Sequence, residues 1–290
     1  MEDMAQVLQA QVDCSVQALA PIKQSLAKLT AAEVVAVGKT QIEAINDFIN
    51  RTMKGLLTEK IDGLTAVTQQ MGQVMEGLDP SDFEDKPATA PSLMQRMLGK
   101  KEAPVNVLTK YEGLGAQLEQ AFIAMTQYKR TLTKNNEDLQ RLFDENLDYY
   151  RFLAQHEQAF AEREIELERQ LVYVKDDFAR TTLEATREMI SIRRNDFMMA
   201  RSVSTQLAVQ LYMLSENNDK MLARLDNGLI YTVPIFKQLI AQALQYERAR
   251  LANQALATLP QWQQKVTTTK ETVQENLQAM TALASDASNR

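Results

Sequence analysis

The sequence predicts an all-α fold: an elongated antiparallel bundle of long helices with coiled-coil-like packing. Three observations predict it. Between Gly115 and Gly228 the chain holds neither glycine nor proline, the residues that usually punctuate a helix. The same stretch carries a seven-residue apolar repeat through Leu118, Phe122, Met125, Leu132, Leu139, Phe143, Tyr150, Leu153, Phe160, Leu167, Leu171, Val174 and Phe178. Aromatic residues are only 6% of the chain, with Trp262 the single tryptophan, while the residues suited to an exposed helix surface abound.

From the N-terminus, a helical section runs over residues 1–78. It is interrupted by Pro21 and relaxed by Gly38, Gly55, Gly63 and Gly72, each costing up to about 1 kcal/mol against alanine. Residues 79–104 read as a linker, since Pro80, Pro87, Pro91 and Pro104 stand there among small and polar residues. Within it, Leu93, Met94, Met97 and Leu98 with Lys100 and Lys101 form a short basic amphipathic element, which suits docking on the helical body better than contact with lipid. Residues 105–290 form the long antiparallel bundle. Its first turn is expected between Lys175 and Thr182, with Thr181-Thr182-Leu183-Glu184 as a capping box. The second arm repeats the pattern through Ile190, Phe197, Leu207, Leu211, Leu214, Met221 and Leu225, and Asp226-Asn227-Gly228 offers left-handed residues to end it. Pro234 then opens a last helix, which Pro260 should kink or divide.

Composition narrows function. A net charge of -6 and a pI near 5.1 argue against nucleic acid as a partner, because phosphate neutralisation needs a concentrated basic face. One cysteine, Cys14, forms no internal disulfide, and the start lacks the features of a signal peptide, so a cytoplasmic location is expected. No run approaches the roughly 20 apolar residues of a spanning helix, which leaves membrane contact peripheral.

Few residues suggest chemistry. Asn136, in the pair Asn135-Asn136, and Asn218, in Asn217-Asn218, fall on seam positions of the repeat. A hairpin centred near Asp177 places them equally far from the turn, so their amides could pair and fix register. The alternative is a polar ligand site within the bundle. Arg193 and Arg194, with Arg187 and Arg201, are the densest basic cluster and weaker candidates for contact with an anion. Val37-Gly38-Lys39-Thr40 imitates the end of a phosphate-binding loop, but Glu33 stands where the loop requires glycine. His156, the single histidine, lacks the Glu-x-x-His spacing of di-iron bundles, so neither a metal nor another cofactor is expected. The run from Glu162 to Arg169 reads as a solvated, salt-bridged face. One histidine and one cysteine assemble no nucleophilic triad.

The segments Gln210-Leu211-Tyr212-Met213-Leu214-Ser215-Glu216-Asn217-Asn218-Asp219-Lys220-Met221-Leu222, Thr232-Val233-Pro234 and Ala252-Asn253-Gln254 resemble the C-terminal pattern of the TelA (KlaA) toxic-anion resistance family. Met97-Leu98-Gly99, Lys110-Tyr111-Glu112 and the region from Leu132 to Leu139 are similar to that family in the same order. The resemblance implies a bacterial stress-response protein associated with resistance to tellurite or other toxic anions. Reducing tellurite needs reactive thiols or a redox cofactor, and Cys14 stands alone without a nucleotide fingerprint. The expected function is therefore a non-enzymatic helical adaptor acting through other stress-response proteins. The competing reading is a structural coiled-coil scaffold that self-associates as a homo-oligomer, peripheral to the membrane and linked to cell-envelope stress. An enzyme working through Lys39 and Thr40, or through Cys14, is the third and weakest.

Overall fold

The computed structural model describes residues 2–58, 60–83, 107–252 and 259–288. The elements among them are α-helical apart from one 3-10 turn and one π turn. They are α1 (Glu2–Gln9), α2 (Val16–Leu26), α3 (Ala31–Val34), α4 (Lys39–Thr58), α5 (Lys60–Gly77), the 3-10 turn Pro80–Phe83, α6 (Val107–Tyr173), α7 (Asp177–Asn227), the π turn Gly228–Thr232, α8 (Val233–Leu251) and α9 (Leu259–Ser288). The all-α bundle of long helices is thus observed, with α6 of 67 residues and α7 of 51.

The compact units are not the three consecutive segments expected from the sequence. Residues 1–57 and 136–216 form one unit, residues 58–135 and 217–290 the other. Both long helices contribute to both units, so the proline-rich stretch does not mark a boundary. The chain passes from unit to unit at the 57–58, 135–136 and 216–217 steps, the last two within the two double-asparagine motifs or at their edge.

In the first unit α6 and α7 run antiparallel. Glu164 pairs with Arg194 and Glu157 with Arg201, both at 2.9 Å, so seven residues down one helix correspond to seven up the other. The buried seam is strictly heptad: Leu139, Asn146, Leu153, Phe160 and Leu167 on α6, and Ile190, Phe197, Ser204 and Leu211 on α7. In the second series Tyr150 is buried, against Leu8 of α1, but Asn136, Phe143, Glu157, Glu164 and Leu171 are only half-buried and Phe178 is 82% exposed. The two seam series of the repeat are therefore unequal. One makes the core and the other flanks it and carries the ion pairs. Helices α2 to α4 cover this seam, and Leu26, Val34 and Ile45 pack against Leu153, Phe160 and Phe197. Gly38 joins α3 to α4 at φ 68°, and a Cβ there would lie 2.7 Å from Phe197 Cζ, so both backbone and space demand glycine. Pro21 sits on the exposed surface inside α2 and does not end it; the breaks fall on either side.

The turn between the arms comes earlier than expected. Asp176 is the N-cap of α7, its carboxylate accepting the Ala179 N–H at 2.7 Å. Thr181 and Thr182 instead donate their hydroxyls to the carbonyls of Asp177 and Phe178, within the helix.

The second unit packs α5, the start of α6, the end of α7, α8 and α9 around Leu118, Met125, Leu132, Leu225, Phe236 and Val266. Asp79 to Phe83 belong to its core rather than to a linker. Phe83 meets Trp262 edge-on at 5.0 Å, the Tyr111 hydroxyl donates to the Asp79 carbonyl at 3.2 Å, and Lys110 pairs with Asp82 at 2.6 Å. Trp262 donates its ring N–H to the Leu239 carbonyl at 2.9 Å. The amphipathic element at Leu93 to Lys101 lies outside the described residues.

The end of α7 corrects a second expectation. Asn227 is right-handed (φ -59°, ψ -44°) and the chain continues through a π turn into α8, with the Val233 N–H bonded to the Gly228 carbonyl. Gly228 is needed for space, since a Cβ there would meet Met125 Cε at 2.4 Å. Pro234 follows as the second residue of α8, where its missing N–H falls at the switch from π to α. Pro260 similarly occupies the first turn of α9, a position where proline is tolerated.

Candidate functional site

The structure places a buried polar pair on the seam that sequence reasoning passed over. Asn146 and Ser204 are both 0% exposed. The Asn146 side-chain amide donates to the Ser204 carbonyl at 3.0 Å, and the Ser204 hydroxyl donates to Asn146 Oδ1 at 2.9 Å. Such a reciprocal pair fixes the register of two helices. The signal was present: Asn146 and Ser204 each stand in strict seven-residue series of otherwise apolar residues. Of the double-asparagine motifs, Asn218 is buried on the α7 series, while Asn135, Asn136 and Asn217 are half-buried. Asn136 belongs to the first unit and Asn218 to the second.

The arginine cluster is held by the fold. Arg193 is buried, donates Nε–H to the Val37 carbonyl at 2.8 Å, pairs with Asp196 at 2.9 Å and lies 5.2 Å from the Phe197 ring centre. It thereby ties α7 to the α3–α4 joint. Arg194 and Arg201 form the ladder with Glu164 and Glu157, and Arg187 reaches Glu168 at 3.5 Å. One buried nitrogen of Arg193, Nη2, has no hydrogen-bond partner among the described residues.

The remaining chemical candidates are dispersed within the first unit. His156 lies with its ring centre 3.9 Å from that of Phe152 and donates Nδ1–H to the Phe152 carbonyl at 2.8 Å; burial pushes its pKa below the ordinary histidine value, against that hydrogen bond. Burial, then the charge of Asp13, pushes the Cys14 thiol up, away from the reactive thiolate. Lys39 and Thr40 are exposed at the start of α4, and the described residues include no strand before them. Among the described residues no three histidine, cysteine, aspartate or glutamate side chains gather as a metal site, and no helix is long and apolar enough to cross a membrane.

A large concave surface lies in the second unit, where the π turn faces α9. It is a trough of about 850 Å³. One wall carries Arg224, Asn227, Tyr231 and Thr232, the other Gln261, Gln264, Lys265, Thr268, Thr272 and Asn276, with Ile235, Val273 and Ala279 between them. The π turn shapes it: i→i+5 hydrogen bonding widens the helix and brings Tyr231, 62% exposed, to the rim. Arg224 donates to Asn276 Oδ1 at 3.3 Å, and Lys265 reaches Gln238 Oε1 at 3.4 Å. Neither cation has a carboxylate within ion-pair distance among the described residues, and Glu275 is the acid on the exposed rim. The walls thus offer two cations among amides and hydroxyls that can both donate and accept. Sequence reading had no means to see this, because the trough joins residues from four elements.

Fold and trough together define an all-α protein built on a long helical hairpin, with a π turn beside an open groove lined by cations, amides and hydroxyls. The chain belongs to the family described as toxic anion resistance protein (TelA), which it matches over residues 20–286. It is similar to YceH of Bacillus subtilis strain 168, an uncharacterised protein, at 25% identity over 240 residues, covering 78% of this chain and 64% of that one. It is also similar to a TelA-like protein of Staphylococcus aureus strain Mu50, at 20% identity over 244 residues, covering 80% of this chain and 64% of that one. The chain thus spans just under two thirds of the length of these relatives. No solved structure matches it.

Proposed function

We propose that this chain is a non-enzymatic helical adaptor in a bacterial response to tellurite or other toxic anions. Membership of the TelA family supports the anion-stress part of this reading. The observation that carries the adaptor part is the trough over the π turn, an open surface whose two cations lack carboxylate partners among the described residues. The chemical candidates of the sequence are engaged within the fold: Arg193 holds the α3–α4 joint, Arg194 pairs across the hairpin, and Cys14 is held toward its neutral form. Partner proteins then perform the chemistry, in the cytoplasm, without a cofactor on this chain.

A second reading, a self-associating scaffold peripheral to the membrane and linked to envelope stress, draws on the exposed apolar residues at the hairpin turn: Val172, Tyr173 and Phe178. Growth on a tellurite gradient, with the gene deleted and then restored, tests the first reading. Deletion should sensitise the cells and the wild-type gene should rescue them. Unchanged growth on deletion refutes the role in anion stress and leaves the scaffold. Rescue that survives Cys14→Ser and Lys39→Ala is expected of an adaptor; loss of rescue in either folded variant would return the enzyme reading.

A further inference from the structure

We infer that the trough between the π turn and α9 is the seat of an amphipathic α-helix from a partner protein, one carrying two carboxylates three helical turns apart. This rests on the adaptor reading and names the chemistry of its partner. Arg224 is anchored at Asn276, so along α9 it lies eleven residues from Lys265, about 16 Å at 1.5 Å per residue. That separation is too large for one small oxyanion to bridge. It matches carboxylates at i and i+11 on one face of a helix.

The dimensions and lining agree with such an occupant. The wall from Gln261 to Ala279 is about 27 Å long, the length of a helix of about 18 residues. Between the two cations the floor is apolar at Ile235 and Val273, which suits leucines at i+4 and i+7 of the incoming helix. Thr268 and Thr272 donate their hydroxyls to carbonyls of their own helix, so those protons do not call for a ligand. Lys129 pairs with Asp226 and Lys237 with Glu119, whereas Arg224 and Lys265, bonded to the side-chain amides of Asn276 and Gln238, present their charge to the trough. Glu275, on the rim beside Asn276, would meet a basic residue near that end of the occupant.

The test is a titration of the full chain into a fluorescein-labelled, alanine-rich helical peptide of about 18 residues, with glutamate at i and i+11 and leucine at i+4 and i+7. Anisotropy should show saturable binding. Lys265→Glu, an exposed change that leaves the fold alone, should weaken it at least about tenfold, and Arg224→Glu similarly. A peptide with lysine in place of the facing glutamate should bind the Lys265→Glu chain better than the wild type does. Absence of saturable binding, or equal binding of glutamate and lysine peptides to the wild type, overturns the inference. Displacement of the peptide by millimolar inorganic phosphate would make the trough a small-anion site and also overturn it. So would a dimer in light scattering that Lys265→Glu dissociates, because the occupant would then be a second copy. None of these results depends on growth in tellurite, so the inference can fail while the anion-stress role stands, and the reverse.

Discussion

Removing one member of the Asn146–Ser204 pair should cost stability, and removing both should restore most of it. The two side chains are fully buried on facing seam positions and exchange hydrogen bonds of 3.0 and 2.9 Å. In Ser204→Ala the Asn146 Oδ1 loses its donor while remaining buried, which costs about 1–3 kcal/mol. In Asn146→Leu the Ser204 hydroxyl can turn back to a carbonyl of its own helix, so about 1 kcal/mol is expected. The double variant puts Leu opposite Ala, apolar on both sides, and should lie within about 1 kcal/mol of the wild type. The coupling is therefore on the order of 1–3 kcal/mol and favours the pair. Urea unfolding of the four proteins, followed by circular dichroism at equal protein concentration, gives the cycle directly. Additivity within about 0.5 kcal/mol would refute the claim that these residues act as a unit. A register role predicts more: the double variant should show weaker hydrogen-exchange protection along the hairpin despite its recovered stability, because the polar check on sliding is gone.

Three further outcomes follow from the geometry. Arg193→Lys should destabilise by about 1–3 kcal/mol, because one ammonium cannot serve the Val37 carbonyl and Asp196 while lying over Phe197; Arg194→Ala should cost under about 1 kcal/mol, as a partly exposed ion pair does. Equal losses in denaturant unfolding would contradict this. Gly228→Ala should cost about 1–2 kcal/mol through the clash with Met125 Cε, and Met125→Ala in the same chain should make the added methyl harmless; a Gly228→Ala penalty unaffected by Met125 would mean that backbone conformation is the cause. His156 is buried with its pKa lowered, so below the unfolded value near 6.5 the unfolded chain binds more protons than the native one, and stability should fall as pH drops through that window to the folded pKa. His156→Gln should flatten this part of the profile of melting temperature against pH.

Much of the fold was legible because helices are local. The absence of glycine and proline over about 110 residues, with a seven-residue repeat, specifies continuous helix and a partner for it. The positions of the turns were less so. Asp226-Asn227-Gly228 has the composition of a helix stop, yet the glycine is there because Met125 approaches it, a fact about packing. Thr181 to Glu184 has the spacing of a capping box, but Asp176 caps the helix first. Arg193 and Arg194 looked alike as a basic cluster. One position apart on α7, they face different neighbours: one a backbone carbonyl of the α3–α4 joint, the other a carboxylate across the hairpin.

What the sequence by itself determined is helix, antiparallel pairing and the family, since each depends on residue order along one or two elements. Tertiary structure decided the rest. It made one heptad series core and most of the other an ion-pair flank, because helices α2 to α4 pack on the first series in the first unit, while α1 buries Tyr150 of the second. It set Asp79 to Phe83 into an aromatic cluster, because Trp262 and Tyr111 supply edges and carbonyl contacts from far along the chain. It also opened the trough, because a widened turn at Gly228 faces a helix that begins some thirty residues later. Backbone periodicity is written in neighbours a few residues apart, whereas a site is written in which distant faces meet, and that is fixed only when the apolar surfaces find the arrangement that buries them.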